Sequence, residues 1–256
     1  MRLGLQPETQ QESRVKTHHR FQNPLPRAEA RGYKTFFHSC WSHSPRKSEN
    51  SFPMEPVKSL LLATRNPGKV KEIIAILKGL PIEIRTLQDF PDLPEVVEDG
   101  KTFEENALKK AREIYLRTNI PSLADDSGLE VFALDMRPGV YSARYAGEKV
   151  TYEDNNNKLL EELYSLPPEK RGARFRCVAA LIGNDLQEVC DGICRGAIAT
   201  EPRGTGGFGY DPLFIPEGFE ETFAELPIDV KNRMSHRAMA FGRIRSLLQD
   251  RLRIPS

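Results

Sequence analysis

Apolar and polar positions alternate with clear periods from Val57 onward, and the periods change along the chain. Leu60–Ala63 is a short apolar run, read as a buried strand. Val70, Ile73, Ile74 and Leu77 follow at i, i+3, i+4, i+7, which predicts an amphipathic helix. Ile82–Leu87 reads as a strand, and "DFPDLPEVVEDGKT" as a long Pro-containing loop. Thr102 and Glu105 have the spacing of a capping box that opens a helix over Phe103–Arg117. "SLA" reads as a strand, Asp125–Gly128 as a turn, and "LEVFAL" as another strand. "RPGVYSARYAGE" reads as a loop, and Tyr152–Leu166 as a helix stopped by Pro167 and Pro168. "ARFRCVAALIG" and "QEVCDGICRGAIA" form an antiparallel pair turning at "NDL". A Gly-rich loop, "EPRGTGGFGYDPLFIPEG", follows. The last helix, Ala238–Leu252, carries Phe241, Ile244, Leu247 and Leu248 on one face. Strands and helices in this order predict an α/β fold with a mixed sheet.

Residues 1–53 show no such period and carry four of the five histidines. They read as a disordered extension. They are basic and contain Arg and Ser, as a transit peptide would, but they hold four acids and no clear amphipathic helix. The favoured reading is an over-long start, with Met54 as the working first residue and residues 54–256 as the folded domain; that points to the cytoplasm.

Charge sharpens the division. The chain is +1 overall, but residues 1–53 hold nine Lys/Arg against four acids, leaving 28 basic and 32 acidic residues in 54–256. A body of −4 argues against nucleic acid as a partner, because that binding rests on a basic surface. A polyanionic ligand would need local Lys/Arg and a divalent cation. No apolar run approaches the roughly 20 residues that span a bilayer, which argues against a membrane partner. Cys190 and Cys194 could suggest zinc, but no His occurs from Met54 to Ser235, and reduced thiols are the simpler reading.

Three loops carry candidate chemistry. In "ATRNPGKV", Asn66 suits an N-cap and Pro67 the first helical position, while Gly68 removes bulk beside the turn. The first-turn N–H groups would then be free for an anion, with Thr64 and Lys69 alongside. Aligned on Gly68-Lys69, the stretch lacks the first Gly and the Ser/Thr of G-x-x-x-x-G-K-[ST]. Alone, it reads first as a capped helix that binds nothing. In "LADDSGLEV", the alternation of an extended chain lets only one of Asp125 and Asp126 face a cleft. Glu98, in the loop before, is a candidate second ligand for a hard cation. Asn106 and Lys110 share a helix side, where Lys110 could snorkel or point at such a site. In "GTGGFGYDPLF", four glycines permit close backbone approach, Phe208 and Tyr210 offer aromatic faces, and Asp211 an acceptor. Lys231, His236 and Arg237 lie just before or at a helix start.

Taken together, "ATRNPGKVKE", "FEENALKKA", "ADDSGLEV", "PGVYSARYAG", "FRCVAAL", "GTGGFGYDPLF" and "KNRMSHRAMA" resemble, in order, the Ham1-like family of inosine/xanthosine triphosphate pyrophosphatases. The resemblance runs from about Val57 to about Leu252. It implies an elongated mixed sheet with two lobes around a nucleotide cleft, a homodimer, and Mg²⁺-dependent hydrolysis of ITP, dITP and XTP to monophosphate and pyrophosphate. It implies Thr64, Arg65, Asn66, Pro67, Gly68 and Lys69 as the triphosphate loop. Asp126 becomes base and metal ligand, Glu98 the other metal ligand, Lys110 a catalytic cation and Ser127 a substrate contact. Phe208, Gly209, Tyr210, Asp211, Lys231, His236 and Arg237 become the nucleobase pocket.

Overall fold

Strand parity along β1 sorts the core into two layers. The structure is a computed structural model and describes residues 57–252. The extension read over residues 1–53 lies outside them. Its strands are β1 (Ser59–Leu62), β2 (Glu83–Thr86), β3 (Ser122–Val131), β4 (Gly172–Gly183), β5 (Leu186–Ile198) and β6 (Phe214–Pro216). They form one mixed sheet in the order β2-β1-β3-β4-β5-β6. β1 runs parallel to β2 and β3, and every later pairing is antiparallel. The helices are α1 (Pro67–Leu77), α2 (Phe103–Thr118), α3 (Tyr152–Glu162), α4 (Ile228–Met234) and α5 (His236–Leu252).

Leu60 and Leu62 face α1 and α5, in a core with Ile73, Leu77, Phe241, Ile244 and Leu248. Leu61 and Ala63 face α2, in a core with Phe103, Ala107, Ala111 and Ile114. A third core, around Phe175, Phe214 and Phe223, gathers α3 and the far ends of β3–β5. Arg171, nearly fully buried, ties this end together by donating to the carbonyls of Leu163, Leu166 and Ala199 at 2.7, 3.0 and 3.1 Å. The Leu163 carbonyl also accepts the Leu166 N–H at 2.9 Å, so the guanidinium adds to the turn that follows α3 and links it to the chain beyond β5.

Several sequence expectations need correction. Asp125–Gly128 is not a turn: β3 runs unbroken for ten residues, because β4 pairs with every one of them. "PLFIP" is not all loop, since Phe214–Pro216 adds a short edge strand to β5. Phe132–Leu134 leaves the sheet as a 3₁₀ turn, and α3 ends at Glu162, before the two prolines. Ile74, counted in the apolar stripe of α1, is exposed, whereas Glu72 beside it is buried. At α2, Thr102 does cap the Glu105 N–H, but the Glu105 carboxylate takes the N–H of Lys101, so the box is only half closed.

Candidate active site

A cleft of about 530 Å³ opens between the α2 side of the sheet and the Phe208 loop. That size suits a small-molecule ligand. Of the seventeen residues that sequence reasoning nominated, all but Pro67 and Gly68 line it.

The loop between β1 and α1 supplies one wall. The Asn66 side chain accepts from the N–H groups of Gly68 and Lys69 at 2.9 and 3.1 Å, and its carbonyl accepts from Val70. Pro67 has no N–H to offer. The first turn therefore has no N–H left for an anion, contrary to expectation. What remains is the partial positive charge of the helix start together with the side chains of Thr64, Asn66 and Lys69. Gly68 acts from below: a Cβ there would stand 2.6 Å from the Phe208 ring. Arg65 turns outward to the carbonyl of Leu93 at 2.7 Å, which tethers the 90–98 segment to this loop.

β3 presents its two aspartates to opposite sides. Asp126, 6% exposed, faces α2, where Asn106 donates to one oxygen at 2.8 Å and the Ser127 N–H to the other at 2.9 Å. Lys110 lies 3.1 Å from Glu98 and 4.0 Å from Asp126, so one ammonium serves both carboxylates. The lysine is thus not merely snorkelling. Burial pushes Asp126 above the ordinary carboxylate range; Lys110 and Lys69 pull against that, and Glu98 adds to the rise.

Asp125, fully buried, faces the other way. Lys69 approaches it at 3.0 Å, the Ser127 hydroxyl donates to it at 3.0 Å, and Arg237 stands 3.6 Å away. Burial alone would raise its pKa, but Lys69 and Arg237 hold it well below the usual range. Burial also opposes the charge on Lys69, yet Asp125 keeps its pKa above the ordinary lysine value. This pairing belongs to a larger buried lattice. Glu72 bonds both Lys231 and Arg237, and Lys231 also bonds Asp211. Glu72, Asp125 and Asp211 balance Lys69, Lys231 and Arg237, so the lattice is neutral, as buried charges must be to persist.

Aromatic rings cover the lattice. Lys231 and Arg237 sit under the Phe208 ring at 5.0 and 5.5 Å from its centre. Gly207, at φ +71, turns the chain so that the Phe208 N–H can reach Asp211 at 2.8 Å. Tyr210 donates to the carbonyl of Ser142 at 3.0 Å, and Gly209 accepts from Asn156 at 3.1 Å. His236 stacks on Phe175 with ring centres 4.6 Å apart. Burial, then Arg237 and Lys231, keep it neutral by lowering its pKa well below the ordinary value.

Sequence reasoning missed Glu72, Arg144, Tyr152 and Asn155. The last three line the cleft, and Arg144 donates to the carbonyl of Glu98 at 3.3 Å. "YSARYAG" held the signal for Arg144, the one cation in that stretch. Nothing local distinguishes Glu72 from a surface acid. Cys177, Cys190 and Cys194 are buried thiols within the sheet.

The sequence profile of the Ham1 family matches residues 60–247. A dITP/XTP pyrophosphatase of Geobacter sulfurreducens is 57% identical over 194 residues, covering 75% of this chain and 96% of its own. One of Bacillus cereus is 42% identical over 200 residues, 77% of this chain and 98% of its own. Among solved structures, a HAM1 protein from Coxiella burnetii superposes with a TM-score of 0.69 at 40% identity, covering 75% of this chain and 98% of that one. A nucleoside-triphosphatase, dITP/XTP pyrophosphatase, from Mycobacterium abscessus gives 0.60 at 42% identity, covering 74% and 98%. The sequence profile spans the carboxylate pair and the charge lattice just described, and the chain belongs to the Ham1 family.

Proposed function

We propose that this chain hydrolyses non-canonical purine nucleoside triphosphates (ITP, dITP and XTP) to the monophosphate and pyrophosphate, with Mg²⁺. One observation carries the reading. Asp126 and Glu98 share the ammonium of Lys110 at one end of a cleft whose wall is the Lys69 loop. The names of the relatives, dITP/XTP pyrophosphatase, support the substrate class.

The residues fit Mg²⁺. Among the described residues no cluster of three or more His, Cys, Asp or Glu is placed to hold a metal by itself. Two carboxylates with open space beside them are what this cation uses when substrate phosphates and waters complete its shell. When bound there by Glu98 and Asp126, it would neutralise phosphate charge and acidify a bound water.

The chain's own residues account for the rest. Asp126, with its raised pKa, takes the proton from a water that attacks the α-phosphorus. The bond from that phosphorus to the α–β bridging oxygen breaks, and pyrophosphate leaves with the oxygen. Lys69 and Lys110 stabilise the charge that develops on the phosphates. Asp211, Lys231, His236 and Arg237 favour a 6-keto purine, because a 6-amino group leaves their buried polar atoms unpaired or repelled. The same reading includes a homodimer, which rests on the resemblance, and a cytoplasmic location, which rests on Met54 as the working first residue.

The test is pyrophosphate release from dITP with Mg²⁺. Asp126→Asn should lower turnover by about 10²–10⁴-fold, the usual worth of a general base. Wild-type turnover by that variant, or orthophosphate in place of pyrophosphate, would overturn the reading.

A further inference from the structure

The two carboxylates of the site come from parts of the chain with no covalent reason to stay together. Glu98 lies on an irregular segment, and Asp126 in the middle of β3. Lys110 bridges the two carboxylates themselves, and a second side chain ties Asp126 to the backbone that carries Glu98. Asn106, on the first turns of α2 and 2% exposed, donates its Nδ2 to Asp126 at 2.8 Å. Its Oδ1 accepts the Gly100 N–H, also at 2.8 Å. The orientation of the amide is forced, since a peptide N–H only donates and a carboxylate only accepts. Reversing the amide would break both bonds. The space is equally constrained: a Cβ on Gly100 would stand 2.6 Å from the Asn106 oxygen.

We infer that Asn106 is a positioning residue: its amide latches the Glu98-bearing segment to Asp126 and so sets the spacing of the two metal ligands. The inference rests on the reading of Glu98 and Asp126 given above. Lys110, also on α2, meets both carboxylates, but its ammonium on a flexible stem holds no backbone N–H of the Glu98 segment. Two further contacts along α2 are exposed. Lys109 meets Asp99 at 2.6 Å and the Glu105 carboxylate takes the Lys101 N–H at 2.6 Å, both at the surface. Exposed pairs of this kind hold little free energy. Asn106 itself is buried, and it alone bonds both Asp126 and the backbone of the Glu98 segment.

The variant Asn106→Leu keeps the volume and removes both bonds. Hydrogen exchange at the Gly100 amide should speed up on the order of tenfold, the loss of one buried hydrogen bond. Mg²⁺ affinity, read by calorimetry without nucleotide, should fall about 10–100-fold, as for other residues that orient metal ligands. Turnover should recover at saturating Mg²⁺. Gly100→Ala should shift the same two readouts, and the double variant should be no worse than the stronger single one. Two results would overturn the inference. One is faster exchange at Gly100 with unchanged Mg²⁺ affinity. The other is a lowered melting temperature with both readouts unmoved, which would mark a merely structural residue. A wild-type chain that binds no Mg²⁺ would instead sink the reading of the site itself, and this role with it.

Discussion

His236 shows how much a single buried ring can report. It is the one histidine among the described residues, it stacks on Phe175, and its Nδ1 has no hydrogen-bond partner there. In the unfolded chain it binds a proton near its ordinary value of 6.5, whereas in the fold it does not. Stability must therefore fall as pH drops below about 6.5, because the unfolded state gains the proton. Asp125 loses its contribution only at much lower pH, since its folded pKa lies well below the usual range. Melting temperature against pH should slope downward toward acid in the wild type, and His236→Phe, which keeps the stack, should flatten that slope. An unchanged slope would place the titration elsewhere. Residue-scale reading from the sequence had clear limits. Alternation said that only one of Asp125 and Asp126 meets the cleft, but not which. Glu72 gave no signal because its partner Arg237 lies 165 residues away.

Elements set where those residues stand. α5 lies on β5 so closely that a Cβ on Gly192 would come within 2.1 Å of the His236 carbonyl and 2.6 Å of the Ala240 nitrogen. Both are backbone atoms, which cannot swing aside. Gly192→Ala should thus cost about 1–3 kcal/mol, seen as a lower urea midpoint, and should depress turnover by displacing His236 and Arg237. An unshifted midpoint would mean that the helix does not rest where described. The long regular elements were legible, because α2, α5 and the β4–β5 hairpin repeat their periods over many residues. β3 was misread because Asp-Asp-Ser-Gly has the composition of a turn. Ten pairings with β4 override that local preference. The free N–H groups expected at α1 failed for a related reason: Asn66 was recognised as a cap, and a cap uses up the donors that an anion would need.

At the scale of the molecule, three cores meet around one cleft. Two lie on opposite faces of the sheet, and the third closes its far end. The nominated site residues run from Thr64 to Arg237, all inside the described region. A chain of residues 54–256 should therefore release pyrophosphate from dITP and XTP at rates like those of the full chain. Against dATP both should be slower by about 100-fold or more, the scale at which unpaired buried polar groups discriminate. Loss of activity on removing residues 1–53 would show that the domain boundary read from the sequence is wrong. The two lobes came from the resemblance. The order of strands and helices supported only an α/β fold with a mixed sheet, because lobes arise from contacts between segments with no shared local pattern.

β3 and β4 pair residue by residue, Asp125 with Ala179 and Asp126 with Val178. Side faces on a strand are counted modulo two. One residue inserted between Ser122 and Asp125 would exchange the partners of the two carboxylates. The one now locked to Lys69 and Arg237 would turn to α2, and the one poised at the cleft would turn to the lattice. Two inserted residues would restore the parity. Within β3, length changes ahead of the acidic pair keep the site only in even numbers, much as a coding sequence tolerates only whole codons.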